Sequence, residues 1–590
     1  MKVTKKIFLG LLSVIMSVVS GCTGGTPVQP EPPEDEPVYE TVTPASGDRV
    51  ISMAEYVDKM KGGFVGTMVG VSYGSTYEFR YRGWKWPTSS WKADDIKDSF
   101  NQDDIYLSLG ALEALENYGI DVTSRVAGIE LYNKNYEYWD GSNNNVLIAG
   151  WAPPFSGYPK RDNITTQPWP DSCSYMCGGA YGGLLSPGAL KQADYLAEKF
   201  AEIVCYGDGI YGTQFVAAMF AEAFFETDVM RVIEAGLSAI PADSWTKLCV
   251  EDVIANYNDG MSAEDNCTAI HTKWVEDSYY NWTVWPKGVY PGDGILLDAK
   301  ACAAFIAIGL LYGDKDIETS AKYTIACGSD TDSNAAQTAG ILAVMNGGYS
   351  QMETKYYAGI NQSYKFKYGP YTFDGAVEAY ERVVKENVKA LGGKVGLVDG
   401  VLSLVIPAAA QPATPGAYQN SKTPAPMEMA VYTDGEMAQL RTIKDPGFEM
   451  QSNGSALEYA WASTTPSKLT MVRYSEDTHN GIVNARIAND SADIFADIYK
   501  LADVERNGDY VYSCWVKSVG ALSADAIKLS VETTDGQSVI RSKTYGAQGQ
   551  WTRLELTFNS GANSGLRIRV GFNGGSGQVL LLDDFGLFLA

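Results

Sequence analysis

The sequence predicts a multidomain chain in which a large all-α domain precedes an antiparallel β-sandwich of the jelly-roll kind. Three observations carry that expectation: helical apolar spacing from about Ser52 to Gly393, a Pro- and Ala-rich stretch at 406–428, and short β-rich runs after it. At 590 residues the chain is too long for one ordinary core. The divisions read as a leader at 1–21, a tether at 22–48, a helical domain at 49–405, a linker at 406–428 and a sandwich at 429–590.

The leader has a basic start at Lys2, Lys5 and Lys6 and an apolar run from Ile7 to Val19, too short to span a bilayer comfortably. It ends in Val19-Ser20-Gly21-Cys22, which resembles the bacterial lipobox, cleaved before a Cys that receives lipid. A plain signal peptide or an anchor helix is the blander alternative. With lipid on Cys22, the protein is expected in a bacterial cell envelope, outside the cytoplasm and in the outer membrane, held through that anchor alone. The Pro- and acid-rich segment that follows cannot bury a core and reads as a stiff tether.

In the helical domain, Asp103 to Tyr118 places Ile105, Leu109, Leu112 and Leu115 on one face. Asp298 to Gly313 is apolar nearly all round, as in a helix at the centre of a bundle. Ile210 to Phe225, Ser244 to Tyr257, Ile317 to Cys327 and Asn334 to Met345 are further helices. Gly62, Gly63, Gly66 and Gly70 fall on the first one, where absent side chains permit close approach. Beyond the linker, Tyr510–Val516, Ile527–Glu532, Trp551–Phe558, Leu566–Phe572 and Val579–Leu582 are short strands separated by Gly, Ser, Asn and Asp.

Charge and composition exclude several functions. Lys and Arg total 46 against 71 Asp and Glu, a formal charge of −25, so a nucleic-acid partner is not expected. His271 and His479 are the chain's two histidines, which excludes a His-rich metal site and leaves almost no candidate for a His-activated nucleophile. Chemistry, if present, rests on carboxylates. The cysteines after Cys22 lie in apolar stretches and read mostly as small buried hydrophobes, although Cys173 and Cys177 are near enough to pair.

Two acidic clusters stand where the chain enters helices: Gln102-Asp103-Asp104, and Gly328-Ser329-Asp330-Thr331-Asp332-Ser333-Asn334. Adjacent carboxylates repel unless something positive neutralises them, and a divalent cation does so better than a helix N-terminus. Oxygen donors without imidazole or thiolate suit Mg²⁺, Mn²⁺ or Ca²⁺. Ordinary helix capping explains either cluster taken alone.

These segments are similar to those of the ADP-ribosylglycohydrolase family, which includes the dinitrogenase-reductase-activating glycohydrolase. Gly66 to Glu78 resembles the family's opening helix and loop, which ends in a Glu; Gln102-Asp103-Asp104 stands where the family has Thr-Asp-Asp; and Gly328 to Ala336 resembles its closing Gly-x-Asp-Thr-Asp-x-Asn motif. Gly212 to Pro241 matches its helical pair. The resemblance implies an ADP-ribosylglycohydrolase-like helical domain with two Mg²⁺ ions, or Mn²⁺, about 3.5–4 Å apart. Asp103, Asp104, Asp330, Asp332 and Ser333 would be their ligands, with Gln102 a further ligand through its amide oxygen in place of the family's Thr. It implies Glu78 as a mobile base or gate, and carboxylate-assisted hydrolysis at the anomeric carbon of a ribofuranosyl-like sugar, with Glu78 and Asp104 as catalytic groups. Trp151 to Arg161, with Lys160 and Arg161, lines a substrate cleft or forms a Pro-stiffened surface loop.

In the sandwich, Asp445-Pro-Gly-Phe-Glu449 and Leu582-Asp583-Asp584-Phe585 resemble the bookends of galactose-binding-like carbohydrate-binding modules, and Trp515 and Trp551 fit the same pattern. That resemblance implies a structural Ca²⁺ held by Glu449 with Asp583 or Asp584; turn residues are the alternative reading. Trp461 and Tyr474 are candidate sugar-stacking rings, although an inward Trp usually belongs to a core. The expected substrate is ADP-ribosyl- or furanoside-containing, with polysaccharide as a partner. The alternatives are an extracellular furanoside hydrolase and a non-catalytic surface glycan-binding lipoprotein.

Overall fold

The computed structural model describes residues 39–134, 150–153, 171–173, 176, 179–277, 297–421, 423–425, 430–440, 443–451, 457–489 and 495–590. The leader, Cys22 and the tether up to residue 38 lie outside the described residues, as do Lys160, Arg161 and Cys177. Among the described residues no helix is long and apolar enough to cross a membrane.

The helical domain is built around two helices in unusually close contact. The opening helix, Met53–Gly74, begins where the Ser52 hydroxyl accepts the Glu55 N–H at 3.1 Å. It lies against Thr331–Met345, every residue of which is buried. A Cβ on Gly70 would stand 2.2 Å from the Ala335 carbonyl oxygen, and one on Gly74 2.3 Å from that of Thr331. Only bare backbone fits there. The Thr331 hydroxyl then donates to the Gly74 carbonyl at 2.8 Å, tying the start of one helix to the end of the other.

Asp103–Tyr118 is helical over the span its apolar spacing predicts. Ala299–Tyr312 is buried from Ala299 through Leu310, as an all-round apolar helix must be. Asp208–Ala223, Trp245–Asn258 and Ile317–Ala326 complete the neighbourhood. One element departs from the all-α expectation: Arg49–Ser52, Val401–Ile406 and Lys394–Val398 form a small antiparallel sheet, its hairpin closed by Asp399-Gly400. The Asp-Gly pair is a hairpin signal hidden in a stretch otherwise read as helix and linker.

The stretch after it does not hang free. Tyr418 donates its hydroxyl to Asp208 at 3.0 Å, and the Gln419 N–H donates to the Tyr211 hydroxyl at 2.8 Å, laying this segment along the helical domain.

The C-terminal domain is two five-stranded antiparallel sheets among the described residues. In one, Gly565–Phe572 pairs with Ile527–Thr533 and Ala496–Asp503; in the other, Val579–Leu589 pairs with Asp509–Val519 and Val483–Ala488. Alternation sends Leu566, Ile568, Val570 and Phe572 into the core opposite Tyr510, Tyr512, Cys514 and Val516. Trp461 belongs to that core, at 3% exposure against Phe448 and Phe585, and is withdrawn as a sugar platform.

Thr41–Ala590 form one unit, and the two domains meet through polar contacts. Lys365 donates to the carbonyls of Thr478 (2.6 Å) and His479 (2.7 Å). The Gly481 N–H donates to the Gly369 carbonyl at 2.9 Å, and Arg473 reaches Asn101 Oδ1 at 3.2 Å.

Candidate metal centre

The loop after the opening helix and the Gly328–Asn334 turn are joined by backbone. The Phe79 N–H donates to the Ser329 carbonyl and the Ser329 N–H to the Tyr81 carbonyl, each at 2.9 Å. Gly328 and Ser329 both have positive φ (81° and 68°), and Phe79 follows Glu78 at 52°. Left-handed non-glycine residues carry strain and are retained where surrounding contacts hold them. Here they aim Glu78 and Asp330 at one another.

Oxygens of Glu78, Asp330 and Asp332 lie within 4.8 Å of one another. Asp103 and Asp104, in the first turn of the neighbouring helix, complete the group. Burial pushes Glu78 up to about 9, with the charges of Asp332, Asp103 and Asp98 adding to it. Asp332 is pushed to about 7, by burial first and then by Asp103. Asp330 is raised well above the carboxylate range by burial, then by Asp332, Cys302, Asp104 and Glu78. Burial also raises Asp103, with Lys367 pulling in the opposite direction. The five carboxylates therefore share one low-dielectric space.

The residues fit a hard divalent cation. Asp332 Oδ1 and Ser333 Oγ are buried and have no hydrogen-bond partner among the described residues, and the Asn334 amide is in the same state. Native interiors rarely leave such atoms unsatisfied. Asp103, Asp104, Asp330 and Asp332, with the hydroxyl of Ser333, are a donor set for an oxygen-seeking ion. Gln102 donates its Nε2 to Asp98 Oδ2 at 2.6 Å, so the amide oxygen is the atom of this side chain that could ligate an ion.

Four residues take a place at the centre that the sequence reading did not assign them. Asp98 ties Gln102 to Ser75, whose hydroxyl donates to it at 3.1 Å. The Cys173 thiol donates to Asp330 Oδ2 at 3.1 Å. Contact with Cys302 and burial raise Cys173 well above its usual range, which keeps it a thiol donor to Asp330 in the cation-free protein. Burial lowers the proton affinity of Lys367, while the charges of Glu449 of the sandwich and of Asp103 raise it. Asn334, the last residue of the second acidic motif, brings its buried amide to the group. Asp98 is four residues from Gln102, whereas long-range placement brings Cys173 and Lys367 here.

The second acidic group also converges. Glu449 Oε1 accepts the N–H groups of Ile482 (2.9 Å) and Val483 (3.0 Å), while its Oε2 is buried without a partner among the described residues. Asp583 Oδ2 accepts from His479 and Asn480 backbone, and Asp584 Oδ2 meets His479 Nδ1 at 3.0 Å. Burial pushes Glu449 to about 8. Trp515 lies flat on His479 at 3.8 Å, and Trp551 donates to Asp477 at 3.1 Å.

Comparison with known proteins follows the division into domains. The family model described as ADP-ribosylglycohydrolase matches residues 52–384. No curated protein matches the chain. Among solved structures, an ADP-ribosylglycohydrolase-related protein complex is 14% identical, covering 57% of this chain and 99% of its own, at a TM-score of 0.40. TmCBM61, solved with beta-1,4-galactotriose, is 19% identical over 25% of this chain and 99% of its own, at 0.20. A carbohydrate-binding module from Cellvibrio mixtus lichenase 5A, in complex with cellotriose, is 16% identical over 22% of this chain and 90% of its own, at 0.16.

Proposed function

The chain belongs to the ADP-ribosylglycohydrolase family, and from that membership we propose that it is a Mg²⁺-dependent hydrolase of a glycosidic bond at a ribofuranosyl-like anomeric carbon. The observation that carries this reading is the group of Glu78, Asp330 and Asp332, with oxygens within 4.8 Å and the charge of Asp103 on two of them. Asp103, Asp104, Asp330, Asp332, Ser333 and Gln102 would hold two ions. Bound Mg²⁺, or Mn²⁺, supplies a template for the sugar's vicinal diol and acidifies a water.

The chain's own groups handle position and protons. Hydrolysis forms a bond from the water oxygen to the anomeric carbon and breaks the bond to the leaving group. One water proton passes to a carboxylate, and one proton reaches the leaving atom. Glu78, on a loop rather than a helix, is placed to supply the proton that reaches the leaving atom, since burial raises its proton affinity enough for it to carry one near neutral pH. Asp104, fixed at a helix start, orients the attacking water. Buried surroundings exclude bulk water and strengthen each of these contacts.

The test uses Asp103→Ala and Asp332→Ala in the full chain, with magnesium titration calorimetry and hydrolysis of ADP-ribosyl-arginine, ADP-ribosyl-serine and pentofuranosides. We expect at least a hundred-fold loss of turnover with loss of magnesium binding, the scale of removing one preorganised electrostatic group. Unchanged binding and turnover would overturn the reading.

A second reading keeps the diol chemistry and makes the substrate an extracellular furanoside. The joined sandwich and the proposed lipid anchor at Cys22 favour it. That anchor is tested by Cys22→Ala, which would move the protein from the envelope membrane to the soluble fraction. A non-catalytic glycan binder is disfavoured because such a binder has no need to crowd five carboxylates. In the sandwich, Glu449 with Asp583 or Asp584 would hold a structural Ca²⁺, tested by a melting-point drop on adding EGTA.

A further inference from the structure

We propose that the sandwich domain supplies one wall of the substrate cleft, with Tyr474 as a stacking platform for an uncharged sugar beside the scissile bond; the assignment rests on the hydrolase reading above. A cleft of about 750 Å³ opens at the end of the opening helix, within the size range of small-ligand sites. The end of the opening helix lines it with Ser72, Ser75 and Thr76, and the turn before Gln102 with Lys97 and Asp98. Asp98 bonds both Ser75 and Gln102 and acts on Glu78, so this lining is continuous with the centre.

Tyr474 reaches the cleft from the other domain. It is half-buried and packs against both hydrophobic cores. Its ring lies 5.7 Å from that of Tyr364, and Lys97 Nζ stands 5.0 Å from its centroid. Its backbone is left-handed, with φ 55°, a conformation a bulky residue adopts only when held there. The neighbouring Arg473 does the holding. It donates to the carbonyls of Glu449 (3.1 Å) and Gln451 (3.0 Å) and to Asn101 Oδ1, next to Gln102 and Asp103.

The chemistry of the lining selects the ligand. Hydroxyls predominate, and Ser72 Oγ is buried without a hydrogen-bond partner among the described residues, as a socket for a sugar hydroxyl requires. Asp94, Asp95 and Asp98 face Lys92 and Lys97, and Lys97 is already engaged over two tyrosine rings. Such a wall repels a diphosphate and accepts a neutral pyranose or furanose face against an aromatic ring. The sugar class is therefore a glycan unit and not a nucleotide.

The test titrates arabinofuranosyl and galactofuranosyl trisaccharides and ADP-ribose into the full chain in EDTA, where turnover is stopped, and measures kcat and KM on an aryl pentofuranoside with magnesium. A trisaccharide is expected to bind, more tightly than ADP-ribose. Tyr474→Ala should weaken it roughly ten-fold, the scale of one aromatic contact, and raise KM on the aryl furanoside. Tyr474→Phe keeps the ring and should bind as wild type; Tyr474→Leu keeps apolar bulk without the ring and replaces the alanine variant if that fails to fold. Tyr474-independent binding, tighter ADP-ribose binding, or no trisaccharide binding overturns the proposal. Tyr474-dependent binding without cleavage of any substrate sinks the hydrolase reading and leaves the cleft assignment standing.

Discussion

Asp332 concentrates the conflict at the centre: it is buried, near-neutral in proton affinity and short of a partner for Oδ1. Its folded value of about 7 and that of Glu78, about 9, exceed ordinary carboxylate values near 4. An acid with a raised folded value costs nothing below its unfolded value and destabilises increasingly as pH rises toward the folded one. Cation-free protein should therefore lose melting temperature between about pH 4 and 9. Magnesium should raise the melting point more at pH 8 than at pH 5, because fewer protons must leave the carboxylates it needs at the higher pH. In the cation-free state at pH 8, Asp332→Asn should melt about 1–2 °C higher than wild type, for relief on the order of 1 kcal/mol, and should lose the magnesium-induced rise. Differential scanning calorimetry across pH, with and without magnesium, checks both.

Among the elements, the Met53–Gly74 and Thr331–Met345 pair sets where the carboxylates go. Any side chain at Gly70 must push the Ala335 carbonyl away, and the displaced helix carries Asp332 with it. Gly70→Ala is expected to cost about 1–3 kcal/mol by overpacking and to weaken magnesium binding at the same time. Gly416, whose surroundings are open, is the control, and Gly416→Ala should change neither quantity. Thermal melts with magnesium titration read the two effects together. The glycines were visible in the sequence as a permit for close approach. Which helix approaches was not, because the partner lies more than 250 residues away along the chain.

For the molecule as a whole, the polar seam between the domains decides whether they unfold together. Lys365 holds two sandwich carbonyls, while Arg473 binds the turn that leads into Gln102. Lys365→Met should separate one cooperative calorimetric transition into two if the polar contacts outweigh the apolar ones in coupling the cores. A single unchanged transition would show that the apolar contacts through Tyr474 and Met450 suffice.

From the chain's own order of residues came the domain sequence, the helices with 3.6-residue periodicity, the strands with alternating burial and both acidic motifs. Local backbone preference and side-chain periodicity write these directly into neighbouring residues. The convergence of Glu78, Asp103 and Asp330, the thiol of Cys173 on Asp330, the hairpin at Asp399-Gly400 pairing back to Arg49–Ser52, and the arrival of Tyr474 at the cleft were decided only by tertiary structure. Each joins positions far apart in the chain, and such contacts depend on how whole faces bury against one another, information that no short window of residues contains.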